Sequence, residues 1–128
     1  MRSIKFRCWD IIHKKMRGTK DLWDIPYNEI FINTPDQRAL NVMQYIGMND
    51  VKGKEIYEGD ILKCSSMLYP DIVHIGIIEY IKGEFQIKWV NDDISVRWDI
   101  RFWVEERVAE IIGNIYENQE IISIMKSM

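Results

Sequence analysis

The sequence predicts a mainly β protein, a β-rich α+β fold in which an antiparallel meander curls into a small barrel or sandwich and a short helix follows. Apolar and polar residues alternate over 85–89 and again over 94–104, which is the period of a half-buried strand. Turn-forming residues separate the short apolar segments, most densely over 47–60. Short consecutive strands joined by tight turns are typical of antiparallel barrels and sandwiches.

Size and composition indicate one globular domain over residues 1–128. The chain is 47% hydrophobic and 29% charged, so it can bury a core and is too apolar for intrinsic disorder. No apolar run approaches the roughly 20 residues of a membrane helix, and the first residues lack the apolar segment of a secretory signal. We therefore expect a cytoplasmic protein, in a cell or in a host, that does not bind membranes.

The amino-terminal half predicts short strands between polar segments. Residues 4–9 alternate apolar and basic side chains, as a half-buried strand does. Residues 14–21 predict a polar turn, and residues 30–32 a brief strand between two prolines. The apolar spacing over 36–44 fits a short helix but is too short to decide, so the conformation of 11–38 stays open.

The meander is predicted from residue 61 onward. A strand over 61–64 follows a turn, and 72–81 is apolar on both parities, as in a strand buried on both sides. Lys82–Gly83 predicts a tight turn into the strand over 85–89.

Two further strands and a helix are predicted at the carboxyl end. Residues 94–104 place six apolar side chains on one parity, and 108–116 form a strand broken at Gly113. Asn118 is the expected N-cap of the last helix. The apolar residues expected to face inward on this helix are Ile121, Ile124 and Met125.

Cysteines and histidines do not form a recognisable site. Cys8 and Cys64 lie far apart, and we interpret both as buried thiols rather than a disulfide. His74 lies on an apolar strand parity, which favours a core or edge histidine over a metal ligand. Together with His13, these residues lack any close-spaced ligand pair, so no metal site is predicted.

One tight acidic group, Glu55, Glu58 and Asp60, could in principle serve acid–base or metal chemistry. Glu58-Gly59-Asp60 fits turn chemistry better, with Asp60 accepting hydrogen bonds from backbone amides. No nucleophile elbow or phosphate-binding glycine loop is present in the sequence. We therefore expect no catalytic residue, no cofactor and no enzyme activity.

Charge is distributed unevenly along the chain. The first 20 residues carry seven basic side chains and one acidic one, a charge of +6, whereas the remainder carries −9. The basic segment could bind an anionic partner, or it could lie against the acidic body or a neighbouring subunit, which we favour. The candidate contacts in this segment are Arg7, Lys14, Lys15 and Arg17.

Five tryptophans could offer binding surfaces: Trp9, Trp23, Trp89, Trp98 and Trp103. Trp89 and Trp98 lie on the apolar parity and are expected in the core. Trp103 lies on the polar parity beside Arg101, so we predict an exposed contact there. Stacking on single-stranded nucleic acid is one use of such a residue, and an oligomer interface is the one we prefer.

Several blocks of the sequence resemble the YopX family of phage and prophage proteins. They are IKFRCWD at 4–10, MQYIG at 43–47 with GKEIYEGDI at 53–61, GIIEY at 76–80 with Phe85 and Trp89, and EIIGNIYEN at 110–118. The blocks occur in the family's order, although the family usually has alanine at position 8 and little matches over 11–38. The resemblance implies a phage or prophage origin and a mainly β fold with a barrel-like part, and it implies no activity.

The leading hypothesis is a non-enzymatic phage or prophage accessory protein that acts by binding, as a homo-oligomer. The first alternative is a nucleic-acid-binding factor that uses the basic segment on phosphates. A second alternative is an inhibitor that presents the acidic body to a basic host or phage protein.

Overall fold

The computed structural model describes residues 4–11, 13–18, 40–65, 73–90, 100–105 and 108–126. Within these ranges the chain is mostly strand, in two antiparallel sheets of which one is a curled half-barrel, with two short helices. The expected fold class is therefore confirmed. Internal contacts divide the chain into an amino-terminal unit, residues 1–45, and a carboxy-terminal unit, residues 46–128. The single domain over 1–128 stays a prediction.

The amino-terminal unit contains β1 (Phe6–Asp10), β2 (Lys15–Arg17) and the first part of β3 (Leu40–Asn49). β1 lies between β2 and β3 and is antiparallel to both. Its central residue, Cys8, is paired with Arg17 in β2 and with Val42 in β3. The strand predicted over 4–9 is thus confirmed, beginning at Phe6.

One expectation for this unit is wrong, and one question that the sequence left open is decided by the structure. Lys15–Arg17, expected within a turn, form β2, because the chain reverses earlier, around Lys14, where φ is 53°. Residues 40–44 are strand rather than helix, since they pair with β1 from Leu40 to Gln44. Two apolar residues at helical spacing are too few to define a period, so cross-strand pairing decided the structure. The strand expected at 30–32 lies outside the described residues.

The carboxy-terminal unit contains β4 (Glu55–Tyr57), which pairs with β3 in the first sheet. It also contains the four strands of the second sheet, which are β5 (Asp60–Ser65), β6 (Val73–Ile81), β7 (Glu84–Trp89) and β8 (Ala109–Asn114). Their order in that sheet is β7-β6-β5-β8. β5, β6 and β7 form the expected meander, and β8 returns to pair with β5. Lys82 and Gly83 both have positive φ, at 51° and 87°, as a two-residue hairpin turn requires.

Two helices, α1 (Ile100–Glu105) and α2 (Gln119–Lys126), complete this unit. The strand predicted over 94–104 is wrong from Ile100 onward, and residues 94–99 lie outside the described part. Ile100, Phe102 and Val104 alternate, but Ile100, Trp103 and Val104 also have the i, i+3, i+4 spacing of a helix. The helix buries Ile100 and Trp103 and packs against β7, so tertiary contacts resolved an ambiguous pattern.

The core of the carboxy-terminal unit lies on one face of the second sheet. Leu62, Cys64, Ile78 and Ala109 are buried there together with Ile100 and Trp103 of α1. Ile75, on the opposite parity of β6 from Ile78, is also buried, which confirms that this strand is covered on both sides. Among the described residues, no helix is long and apolar enough to cross a membrane.

Candidate functional site

The basic candidate residues of the amino-terminal unit lie on different faces of its sheet. Side chains alternate along a strand, and directly paired residues share a face. The register therefore places Lys15 and Arg17 on the face of Cys8 and places Arg7 on the other, where its guanidinium lies 3.8 Å from the Met43 sulfur. Lys14 lies in the turn between β1 and β2 and is exposed. Of the four predicted contact residues, the structure therefore places two, Lys15 and Arg17, on the same face of one strand.

Asp10 is the buried centre of a polar cluster at the β1–β2 turn. Its Oδ1 accepts the backbone amide of His13 at 3.0 Å, and its Oδ2 contacts the ring Nδ1 of His13 at 2.8 Å. The Nε of Arg17 donates to the same Oδ2 at 2.8 Å. The charge of Arg17 is therefore balanced within the unit. This cluster was not predicted from the sequence, although aspartate side chains in turns commonly accept hydrogen bonds from nearby backbone amides.

The ionisation of Asp10 reflects two opposing causes. Burial of the carboxyl by itself would raise its pKa. The hydrogen bonds from the His13 amide and ring and from Arg17 outweigh burial, and they hold the pKa of Asp10 well below its usual range. The cluster therefore contains an ionised carboxylate that fastens the turn to β2.

Exposed apolar side chains accompany Lys15 on the same face of the amino-terminal sheet. Phe6 is paired with Gln44, and Val42 is two residues away on β3, so Phe6 and Val42 are diagonal neighbours on that face. Val42 is 49% exposed and Phe6 38% exposed. We call Phe6 and Val42 the amino-terminal patch. Cys8 and Asp10, which are buried, separate this patch from Lys15 on the same face.

One face of α2 exposes an acidic and an apolar residue. Glu120 and Ile124 are one helical turn apart, and both are exposed. We call these two residues the α2 face. The expectation that Ile124 faces inward is wrong, since it is 59% exposed, whereas Ile121 is half-buried; the side chain of Met125 lies outside the described part.

The start of α2 follows the prediction in position but not in its hydrogen bonding. Asn118 precedes the first helical residue, and its carbonyl accepts the amide of Ile121 at 3.0 Å. Its side-chain oxygen accepts the amide of Asn114 at 3.1 Å instead of a helix amide. Asn114 in turn accepts the amides of Tyr116 and Glu117. The two asparagines shape the turn between β8 and α2.

The expectation that Trp103 is exposed is wrong. The side chain is 4% exposed and belongs to the core cluster of the carboxy-terminal unit. The error follows from reading a helical segment with a period of two, which assigned Trp103 to the outer face of a strand. Arg101 is exposed on α1, with its Nε 3.8 Å from the Glu105 carboxylate. Arg101 and Trp103 therefore do not form a joint contact surface.

Trp103 is part of a cluster of aromatic rings. Its centroid lies 5.8 Å from that of Trp89, 5.2 Å from that of Phe102 and 6.0 Å from that of His74. His74 also contacts Trp89 edge-on at 5.6 Å. Edge-to-face packing of this kind stabilises a core. His74 is half-buried against these rings, as expected for a core or edge histidine.

Cys64 and His74 are directly paired across β5 and β6, which raises the question of a cysteine–histidine nucleophile. Burial raises the pKa of the Cys64 thiol to about 12. A reactive cysteine needs its thiolate form near neutral pH, and this thiol remains protonated there. Both cysteines are free and buried, which confirms their interpretation as core thiols.

The acidic residues Glu55 and Asp60, in the block over 53–61, make local hydrogen bonds. Asp60 is buried, and its Oδ2 accepts the amide of Tyr57 at 2.8 Å across the turn. The expected turn is therefore present, with Asp60 accepting the amide of a residue that precedes the bend. Glu55 accepts a hydrogen bond from the Tyr57 hydroxyl at 3.4 Å. Across the described ranges, no three histidine, cysteine or acidic side chains lie close enough to hold a metal ion.

The fold defines a mainly β protein, with two antiparallel sheets and two short helices in its described part. The chain belongs to the YopX protein family, whose model matches residues 5–123. It is 28% identical over 102 residues to the "SPbeta prophage-derived uncharacterized protein YopX" of Bacillus subtilis (strain 168), covering 78% of this chain and 73% of that protein.

Two solved structures share the fold. Protein EF1440 from Enterococcus faecalis superposes with a TM-score of 0.65 at 22% identity, covering 95% of this chain and 99% of that one. Protein yopX from Bacillus subtilis superposes with a TM-score of 0.56 at 22% identity, covering 95% of this chain and 97% of that one.

Proposed function

We propose that this protein is a prophage-derived accessory protein that acts by binding rather than by catalysis, as a homo-oligomer. The observation that carries the proposal is the amino-terminal patch, where Phe6 and Val42 are partly exposed as diagonal neighbours on one sheet face. Apolar side chains grouped on a sheet face are a feature of protein contact surfaces. The prophage origin of the Bacillus subtilis relative supports the first part of the proposal.

The chemistry of the described residues supports a binding role. The Cys64 thiol is protonated, and the Asp10 and Asp60 carboxylates are engaged by backbone amides. Groups that catalyse proton transfer or nucleophilic attack need access to a substrate and a suitable pKa. These groups serve the fold instead.

Light scattering coupled to size exclusion at micromolar concentration tests the proposal. The expected mass is a multiple of the 15.4 kDa chain. A mass of one chain at every concentration up to about 100 μM, a Kd range of weak complexes, would contradict self-association.

Nucleic-acid binding is the weaker candidate. Arg17 is paired with Asp10, and Arg7 faces away from Lys15, so Lys14 and Lys15 carry the charge available to phosphates at the β1–β2 turn. Two phosphate contacts predict a salt slope of about −2 for log affinity against log salt. Absence of a gel shift with single- or double-stranded DNA or RNA at low salt would eliminate this candidate.

A further inference from the structure

The two edges of the second sheet differ in how they are covered. At the β8 edge, the amide of Ile111 donates to the Asp50 carboxylate, and the carbonyl of Ala109 accepts the amide of Val51, each at 3.0 Å. At the other edge, β7 pairs with β6 on one side, and no strand of the described part pairs with it on the other. β7 is therefore an edge strand that can accept a further strand.

The register of β6 and β7 shows which backbone groups point outward at this edge. Val90 donates its amide to the opposite Ile75 carbonyl at 2.8 Å, so these two residues form a hydrogen-bonded pair. Hydrogen-bonded and non-hydrogen-bonded pairs alternate along an antiparallel ladder, so the even-numbered residues over 84–90 bond β6. The amides and carbonyls of Phe85 and Ile87 point away from β6. Within the described ranges, no backbone hydrogen bond reaches them on that side.

The side chains of β7 are self-complementary in charge. Phe85 and Ile87 pack against the core, so Glu84 and Lys88 lie on the opposite face, where both are exposed. They are two positions on either side of Gln86. A second β7 that lies antiparallel about a two-fold axis at Gln86 places Phe85 opposite Ile87 and Glu84 opposite Lys88 of the other copy. Each Glu84–Lys88 pair is then non-hydrogen-bonded, with Cα atoms about 4.5 Å apart.

Other registers lose this match. The smallest slide that keeps outward backbone groups opposite each other is two residues, and it removes both Glu84–Lys88 pairs. In one direction Lys88 comes opposite Lys82, and in the other Glu84 comes opposite Val90. Charge therefore favours the register that is centred on position 86.

The carboxylate of Glu84 can accept a lysine in this register. The Gln86 side chain donates to its Oε1 at 2.8 Å. A carboxylate has two oxygens with several acceptor sites, so Oε2 can receive the ammonium group of Lys88 from the second copy.

Building on the proposed self-association, we infer that two copies of this chain pair through their β7 strands, antiparallel about Gln86, so that two four-stranded sheets join into one continuous sheet. Each Phe85–Ile87 pair exchanges two backbone hydrogen bonds, and a Glu84–Lys88 pair lies at either end. The same surface serves in both copies, as in a two-fold dimer. Every group that forms this interface lies on β7, within the carboxy-terminal unit.

Charge reversal in the full chain tests the register. Glu84→Lys and Lys88→Glu each place like charges opposite each other at both ends of the paired strands. Each is expected to weaken the self-association Kd by roughly tenfold. The double variant exchanges the signs and is expected to recover the wild-type Kd. Glu120→Lys and Lys54→Glu are the matched controls, because both positions are exposed, lie outside β7 and change the net charge by the same amounts.

A proline at the outer edge tests the backbone pairing. Ile87→Pro removes an amide that points away from β6, so the hydrogen bonds to β6 remain while a bond in each Phe85–Ile87 pair is lost. Ile87→Ala is the matched control, because it shortens the same side chain and keeps the amide. The proline variant is expected to have a self-association Kd roughly tenfold weaker than that of the alanine variant.

Sedimentation velocity measures the Kd, and circular dichroism checks that each variant keeps its fold. The charge variants, at exposed positions, decide the result if Ile87→Pro does not fold. A wild-type protein that sediments as one chain overturns the proposed self-association itself. A wild-type oligomer whose Kd is unchanged by Glu84→Lys and Lys88→Glu leaves self-association standing but overturns pairing through β7.

Two further outcomes bear on the details of the interface. Weakening by both single charge variants without recovery in the double variant overturns the antiparallel register about Gln86. Equal Kd values for folded Ile87→Pro and Ile87→Ala overturn the backbone pairing.

Discussion

The carboxylate of Asp50 accepts a hydrogen bond from the backbone amide of Ile111, 61 residues further along the chain, at 3.0 Å. Its other oxygen accepts the amides of Lys52 at 2.9 Å and Lys54 at 2.8 Å. The amide of Val51 donates to the Ala109 carbonyl nearby. The turn between β3 and β4 is thus fastened to the edge of β8, which joins two sequence blocks that characterise the family.

Replacing Asp50 should strongly destabilise the protein. Asp50→Ala removes the acceptor of three backbone amides at a buried position, and we expect it to lower the free energy of unfolding by about 2–4 kcal/mol. Asp50→Asn retains one acceptor oxygen, so its effect should be smaller. Urea unfolding followed by circular dichroism measures both. Glu120→Ala, at an exposed position on α2, is the control. An equal effect of Asp50→Ala and Glu120→Ala would contradict this role.

Stability should depend on pH through Asp10. In the folded protein its pKa is held below the ordinary value. Its contribution to the free energy of unfolding is therefore complete above the unfolded-state pKa of about 4, and it is lost as the pH falls toward the folded-state pKa. We expect the protection factors for hydrogen exchange at β1 and β2, which correct for the intrinsic pH dependence of exchange, to fall below that pH. Asp10→Asn removes the titrating group and should flatten the dependence. The same acid sensitivity in Asp10→Asn would rule out this origin.

A methyl group at position 76 should disturb the core. Gly76 is paired with Trp89, and a Cβ there would collide with the Ile87 methyl and lie 3.0 Å from the Trp89 ring. Because Ile87 is β-branched and cannot easily turn away, Gly76→Ala should cost about 1–3 kcal/mol. Gly18→Ala, where a Cβ meets nothing within 4 Å, is the control. Urea unfolding followed by tryptophan fluorescence measures the free energy of unfolding of both variants. Equal losses of stability in the two would contradict the steric overlap at position 76.

The burial of Trp103 has a direct consequence for stability. Trp103→Ala should cost about 3–5 kcal/mol, the range for removing a buried aromatic side chain. Tyr80→Ala is the comparison, since Tyr80 is 55% exposed and packs edge-on against Phe85. That variant should lose no more than about 1.5 kcal/mol. Chemical unfolding in which the two variants lose equal stability would contradict the core position of Trp103.

The sequence predicts the residue types of the candidate site, but it does not predict which of them share a face of the sheet. The sequence located the basic residues Lys15 and Arg17, but β-sheet register separated Arg7 from them and Asp10 balanced the charge of Arg17. The amino-terminal patch could not be predicted, because Phe6 and Val42 become neighbours through the pairing of β1 with β3.

By itself, the sequence determined the family, the mainly β class and the strands and turns whose pattern is unambiguous. The hairpin at Lys82–Gly83 is an example, because strict alternation and a turn that favours positive φ depend on adjacent residues. Where a short segment fits both the period of a strand and that of a helix, tertiary structure decided which of the two forms. Residues 100–105 fit both a strand and a helix, and burial of Ile100 and Trp103 against the sheet selected the helix. Free energy gained from distant contacts outweighs a local preference that is nearly balanced.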